Sequence, residues 1–186
     1  MKSSINKLPN YALLVVAILG MLLACEKSST GKTVTINNRY SLTLPRTMLK
    51  TDNLNEEASL QYMNPFTEMY AIVIDEDADE FHKVVIDNEL EEYYSQDLEG
   101  YTKLLLNGFE ESIAMKDIEV KDTTIHFMKA KVVEMEGRVD NLDIYYLIAY
   151  FQGAKTYYQL FTWTMLKRKR ANKKTMEKIV YSFKEL

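Results

Sequence analysis

The sequence predicts an α+β fold: an antiparallel sheet of about seven to eight strands with helices packed on it. Three observations carry this. Residues 144–151 (IYYLIAYF) are apolar throughout, as expected of a strand covered on both faces. Short runs of β-branched and aromatic residues, parted by Asn, Asp, Gly and Pro, recur on both sides of it. Two further segments carry apolar residues at three- and four-residue spacing, the signature of a helix with one buried face.

In chain order, Thr33–Ile36 and Tyr40–Leu44 alternate apolar with polar around Asn37-Asn38-Arg39 and predict a hairpin closed by Pro45. Met48–Ser59 is polar and reads as a loop. Leu60–Met63 and Met69–Asp75 predict two strands around a turn at Asn64-Pro65. An acidic stretch follows, with a helical piece between Glu80 and Tyr94. Leu98, Tyr101, Leu105, Phe109 and Ile113 share one face of a helix from Asp97 to Ile113. Ile118–Val120, Ile125–Met135, Asp143–Phe151 and Thr156–Met165 predict four successive strands. Their turns fall at Lys121-Asp122, Gly137–Asn141 and 152–155, and Ile144–Phe151 is the expected central strand. Met176, Ile179, Val180 and Phe183 predict a closing helix.

The start of the chain has a different character. Lys2 and Lys7 precede an uncharged apolar run from Tyr11 to Ala24, the pattern of a secretion signal. It falls short of the roughly 20 residues that span a bilayer comfortably. Leu22-Leu23-Ala24-Cys25 resembles the lipobox of bacterial lipoproteins. That resemblance implies cleavage before Cys25, a fatty-acylated (palmitate-bearing) thiol there, and a chain held to the membrane of the cell envelope. The expected organisation is a signal peptide over 1–24, a lipidated tether over 25–32 and one domain over 33–186. Glu26-Lys27-Ser28-Ser29 is not a dense acidic export tract, which points to the periplasmic side.

Across all 186 residues, 23 Lys and Arg stand against 27 Asp and Glu; without the two lysines of residues 1–24 the balance is 21 against 27, or −6. An acidic chain argues against a nucleic-acid partner. With its one cysteine acylated, thiol nucleophiles, disulfides and cysteine-ligated zinc are excluded. No nucleotide-binding, serine-hydrolase or metalloprotease signature occurs, and no cofactor is implied.

The element order, with Tyr40-Ser41-Leu42-Thr43-Leu44-Pro45 near the start and Ile179-Val180-Tyr181-Ser182-Phe183-Lys184 at the end, resembles the PsbP-like α/β/α sandwich. The resemblance extends from about Val34 to Leu186. That fold is shared by the PsbP extrinsic protein of photosystem II, a Ran-binding nuclear-import factor and DcrB-type envelope lipoproteins. It implies a non-catalytic binding or assembly module with a protein or envelope component as partner.

Four groups of residues invite a site. His82 and His126 are the two histidines; His126 is expected on a strand, sharing a face with Met128, Ala130 and Val132. His82 with nearby carboxylates is the basis of an alternative reading, a small-ligand enzyme or hydrolase. Asp75, Asp77 and Asp79 alternate like the first ligands of a calcium loop, but Glu80 and Ile86 stand where that loop needs Gly and Glu, so a water-facing loop is the plainer reading. Lys167, Arg168, Lys169, Arg170, Lys173 and Lys174 form a basic cluster ahead of the last helix. It suits an anionic lipid surface or an acidic partner, or serves only to keep a strand end from edge pairing. Tyr93, Tyr94 and Tyr101 are placed to line a groove.

Overall fold

Residues 31–186 are those the computed structural model describes. β1 (Gly31–Ile36) and β2 (Tyr40–Pro45) form the expected hairpin. Asn37 and Asn38 take φ of 48° and 54° at its turn, a left-handed conformation that asparagine tolerates better than most residues. β3 (Leu49–Lys50), β4 (Leu60–Asn64) and β5 (Met69–Asp77) follow, then helices α1 (Ala78–Asp87) and α2 (Leu98–Ser112). β6 (Ala114–Ile125), β7 (Met128–Val139), β8 (Leu142–Gln152) and β9 (Thr156–Met165) make a long meander. A 3₁₀ turn at Leu166–Arg168, helix α3 (Lys169–Val180) and β10 (Lys184–Glu185) complete the chain.

The main sheet has seven antiparallel strands in the order β3-β4-β5-β9-β8-β7-β6. Its middle strand is β9, one place from the β8 segment expected there, because β9 pairs with β5 on one side and β8 on the other. The first hairpin does not join this sheet. It forms a second one, β1-β2-β10, since β2 takes the C-terminal strand on its free edge, pairing Ser41 with Lys184 and Tyr40 with Glu185.

Five local differences from the sequence reading follow. β3 falls inside the expected loop, recruited by β4 through Leu49 opposite Met63. α1 starts earlier, at Ala78, because the Asp77 side chain caps it by accepting the Asp79 N–H at 2.8 Å; it ends at Asp87 with Asn88 as its C-terminal cap, before Glu89 turns to φ 56°. The β6–β7 turn lies at His126-Phe127, not Lys121-Asp122. Asp122 instead sits in β6 opposite Lys131 and bonds its ammonium at 2.6 Å, so a polar pair that reads as a turn is a salt-bridged stretch of strand. Gly137 likewise lies within β7, and the next hairpin turns at Asp140-Asn141, with φ of 47° and 65°. Phe183 lies beyond α3, yet is fully buried in the core.

Each face of the main sheet is covered. Under α3 and the small sheet lie Leu42, Leu44, Met48, Leu147, Leu160, Met176 and Phe183. Under α1 and α2 lie Phe81, Val85, Leu98, Tyr101, Val133, Ile148 and Phe161, with Leu105, Phe109 and Ile113 of the expected α2 stripe packed against them.

Candidate functional site

α3 owes its place to residues of both kinds. Met176, Ile179 and Val180 are fully buried, and the Asn172 amide donates to the Thr67 carbonyl at 2.9 Å and the Thr164 hydroxyl at 2.8 Å. The basic cluster divides around this helix, with Lys167 and Arg168 in the 3₁₀ turn and the other four inside α3, which corrects the reading of a strand end ahead of a helix. The strand before it, β9, is not an edge, so edge protection is not its task.

Lys173 reaches Glu134 on β7 at 2.6 Å; Lys169 reaches Glu134 at 3.4 Å and Glu136 at 3.2 Å, and lies 4.6 Å above the Tyr145 ring. Burial alone would lower the Lys169 ammonium, but the hydrogen bond to Glu136 and the charges of Glu134 and Glu136 outweigh it and hold it above its ordinary value. Burial would raise the Glu134 carboxyl, yet the Lys173 bond and charge bring it below the usual range. Lys167 and Arg168 face Glu68 at 3.6 and 3.2 Å. Arg170 and Lys174 are exposed.

The acidic candidates do not converge. Asp75 is in β5 and pairs with Arg39, Asp77 caps α1, and Asp79 is in that helix's first turn. Strand and helix geometry thus replaces the expected loop, and among the described residues no group of three His, Asp or Glu side chains is set to hold a metal.

His82 lies in α1 with its ring 5.6 Å from that of Phe81 and 6.2 Å from that of Tyr157. Its Nε2 is buried without a hydrogen-bond partner among the described residues. A polar knot nearby, buried at Tyr101 and Gln159 and open to solvent at Glu76, was not legible in the sequence: the Tyr101 hydroxyl donates to Glu76, and the Gln159 amide donates to Glu76 at 2.8 Å and to the Tyr101 oxygen at 2.9 Å. Burial, then the Glu76 carboxylate, pushes the Tyr101 phenol far above its usual value. Tyr101 stacks on Tyr157 at 4.3 Å and is core, not a groove wall; Tyr94 accepts from Asn107 at 3.0 Å, and Tyr93 is exposed.

The β6–β7 turn brings forward a residue that sequence reasoning missed. His126 and Phe127 both take positive φ, 46° and 70°, at the two central positions of a two-residue hairpin where Asn and Gly are favoured. His126 is therefore at a tip rather than on a strand face. Phe127 is 101% exposed. The two residues border a groove of about 430 Å³ whose opposite wall is the β8–β9 turn and Glu185. That carboxylate also accepts from the Tyr158 hydroxyl at 3.1 Å; burial first, then Glu185, raises this phenol to about 12.

No protein-family model matches the chain, and no curated protein matches its sequence. Solved structures match it in shape. The solution structure of cyanobacterial PsbP (CyanoP) from Synechocystis sp. PCC 6803 is 9% identical, covers 85% of this chain and 94% of its own, and has a TM-score of 0.58. A crystal structure from Bacteroides thetaiotaomicron is 10% identical, with 84% of this chain and 49% of its own covered and a TM-score of 0.54. LpqN, involved in cell envelope biogenesis of Mycobacterium tuberculosis, is 9% identical, with 83% and 84% covered and a TM-score of 0.49. The fold is thus the PsbP-like α+β architecture, a seven-stranded antiparallel sheet with a small second sheet and helices on both faces. Fold alone does not assign an activity.

Among the described residues, no helix is long and apolar enough to cross a membrane. Cys25 and the expected signal and tether up to Thr30 lie outside the described residues, while β1 opens at Gly31, two residues before the expected start of the domain.

Proposed function

We propose that this chain is a lipid-anchored cell-envelope protein, periplasm-facing, whose PsbP-like domain is a non-catalytic binding or assembly module. Phe127 is the observation that carries the binding role. A left-handed conformation costs a non-glycine residue on the order of 1 kcal/mol. A phenylalanine left in water forgoes about 1.5–3 kcal/mol of burial. The hairpin bears both costs with no return inside the domain, and a partner that buries the ring beside the groove supplies one. The anchor rests on Leu22-Leu23-Ala24-Cys25 and its likeness to a lipobox.

Two experiments test the two halves. Labelled palmitate is expected on the wild-type protein and absent from Cys25→Ser; equal labelling removes the anchor. A photo-crosslinking phenylalanine analogue at position 127 is expected to give a discrete adduct in intact envelopes, while the same analogue at exposed Val84 on α1 gives none. Identical patterns at the two positions would defeat the binding role of this tip.

A further inference from the structure

The outward face of α3 differs from the face it turns to the sheet. With Asn172, Met176, Ile179 and Val180 inward and Lys169 and Lys173 engaged by β7, the exposed residues are Arg170, Ala171, Lys174, Lys178 and Tyr181. At about 100° per residue these fall in one stripe. It holds three cations and a tyrosine, with one acid, Glu177, at its border about 20° from Arg170, lining the same shallow pocket as Arg170 and Lys174. None of the three cations has an ion-pair partner among the described residues. Glu177 is half-buried rather than exposed, and with Tyr181 it also lines the neighbouring groove that holds Glu119 and Lys121.

Helix stability does not explain this stripe. Arg170 with Lys174, and Lys174 with Lys178, are like charges at i,i+4, which destabilise a helix. Cations in the first turn oppose the helix dipole, and α3 has neither an acidic residue there nor a side-chain cap. The described chain begins in β1, whose partner strand β2 packs against this helix. Lys32, next to Gly31, bonds the Met48 carbonyl at 3.2 Å and lies 4.7 Å above the Tyr62 ring; Met48 shares its core with Met176 and with Leu166, just ahead of α3. The six residues from Cys25 to Thr30 reach about 20 Å when extended.

We propose that this face of α3 lies on the bilayer, with Arg170, Lys174 and Lys178 against anionic phospholipid headgroups and Tyr181 at the interface, where tyrosine is favoured. The proposal rests on the anchored reading above and adds an orientation to it. On a domain whose net charge is negative, this cation-rich face is the one favoured toward an anionic surface, so the tethered domain turns α3 downward and leaves α1 and α2 facing away. Each Lys or Arg near such a surface strengthens partition about five-fold.

The test uses the chain from Glu26 onward, which lacks the anchor but contains every residue of both core clusters. In sedimentation with vesicles of 30% phosphatidylglycerol in phosphatidylcholine, binding is expected at low salt, weakening steeply as salt rises, with none on phosphatidylcholine alone. Arg170→Ala, Lys174→Ala and Lys178→Ala together should lower partition about a hundred-fold, while Lys83→Ala, Lys129→Ala and Lys155→Ala, which remove the same charge elsewhere, change it less than two-fold. Equal binding to both vesicles, equal loss in both triple variants, or no vesicle binding, as expected if the face serves an acidic protein, overturns the proposal. Palmitate labelling is independent of these outcomes and judges the anchor separately.

Discussion

The two faces of the main sheet are held by different means. On the α1 and α2 side, both helices begin on an aspartate: Asp77 accepts from Asp79, and Asp97 from Gly100 at 3.1 Å. Their buried faces are rings, with Tyr101 on Tyr157 at 4.3 Å and Phe109 on Phe161 at 5.5 Å. On the other side α3 has no cap, and its place comes from distant residues: Glu134 and Glu136 on β7, Thr67 and Thr164, and the apolar core. One side is specified locally and then packed. The other is specified by packing and then carries charges that local rules disfavour, which leaves its outward stripe open to other uses.

The largest expected effect tests dependence on the core. Phe183 stacks on Phe151 at 4.4 Å and on Tyr40 at 5.2 Å, so Phe183→Ala should cost about 3–5 kcal/mol in chemical denaturation. A loss below 1 kcal/mol would mean that the small sheet and α3 are not anchored there. Tyr101→Phe, which removes a hydrogen bond to a carboxylate but keeps the stacking, should cost about 1.5 kcal/mol.

Glu134→Gln should cost about 1 kcal/mol, a value held down by the solvent exposure of Lys173. Its pH dependence has a definite sign. The Glu134 carboxyl is lowered in the folded state, so its contribution is present above the ordinary glutamate value and disappears as pH falls through the lowered one. The gap in Tm between wild type and variant should therefore close in acid; a constant gap rules out the clamp.

Asp97→Ala should cost about 1 kcal/mol through lost capping, also fading in acid, because the Ser95 hydroxyl and Gly100 N–H hold this carboxyl low. The smallest effect has the opposite sign. Phe127→Gly relieves a φ of 70° and should raise stability by about 0.5 kcal/mol while abolishing partner binding at the tip.

What the sequence made legible follows the same division. The α2 stripe from Leu98 to Phe109, the Asn37-Asn38 turn and the apolar β8 were readable because each signal is contained within a few residues. The β6–β7 turn was not: Lys121-Asp122 has turn composition, and only the Asp122 pairing with Lys131 shows it to be strand. The basic cluster was visible as composition, but its division into inward clamp and outward stripe depends on Glu134 and Glu136, more than thirty residues upstream. The Tyr101, Gln159 and Glu76 knot joins three elements and has no local signal at all.

The small sheet ties together parts of the fold that lie far apart along the chain. Its third strand is supplied by Lys184 and Glu185, and the Leu186 amide donates to the Arg39 carbonyl at 2.9 Å, so one edge of β2 is closed by a strand more than 140 residues away. Detaching that strand would also loosen Phe183 from its seat on Tyr40, so the edge of the sheet and this part of the core open or close together.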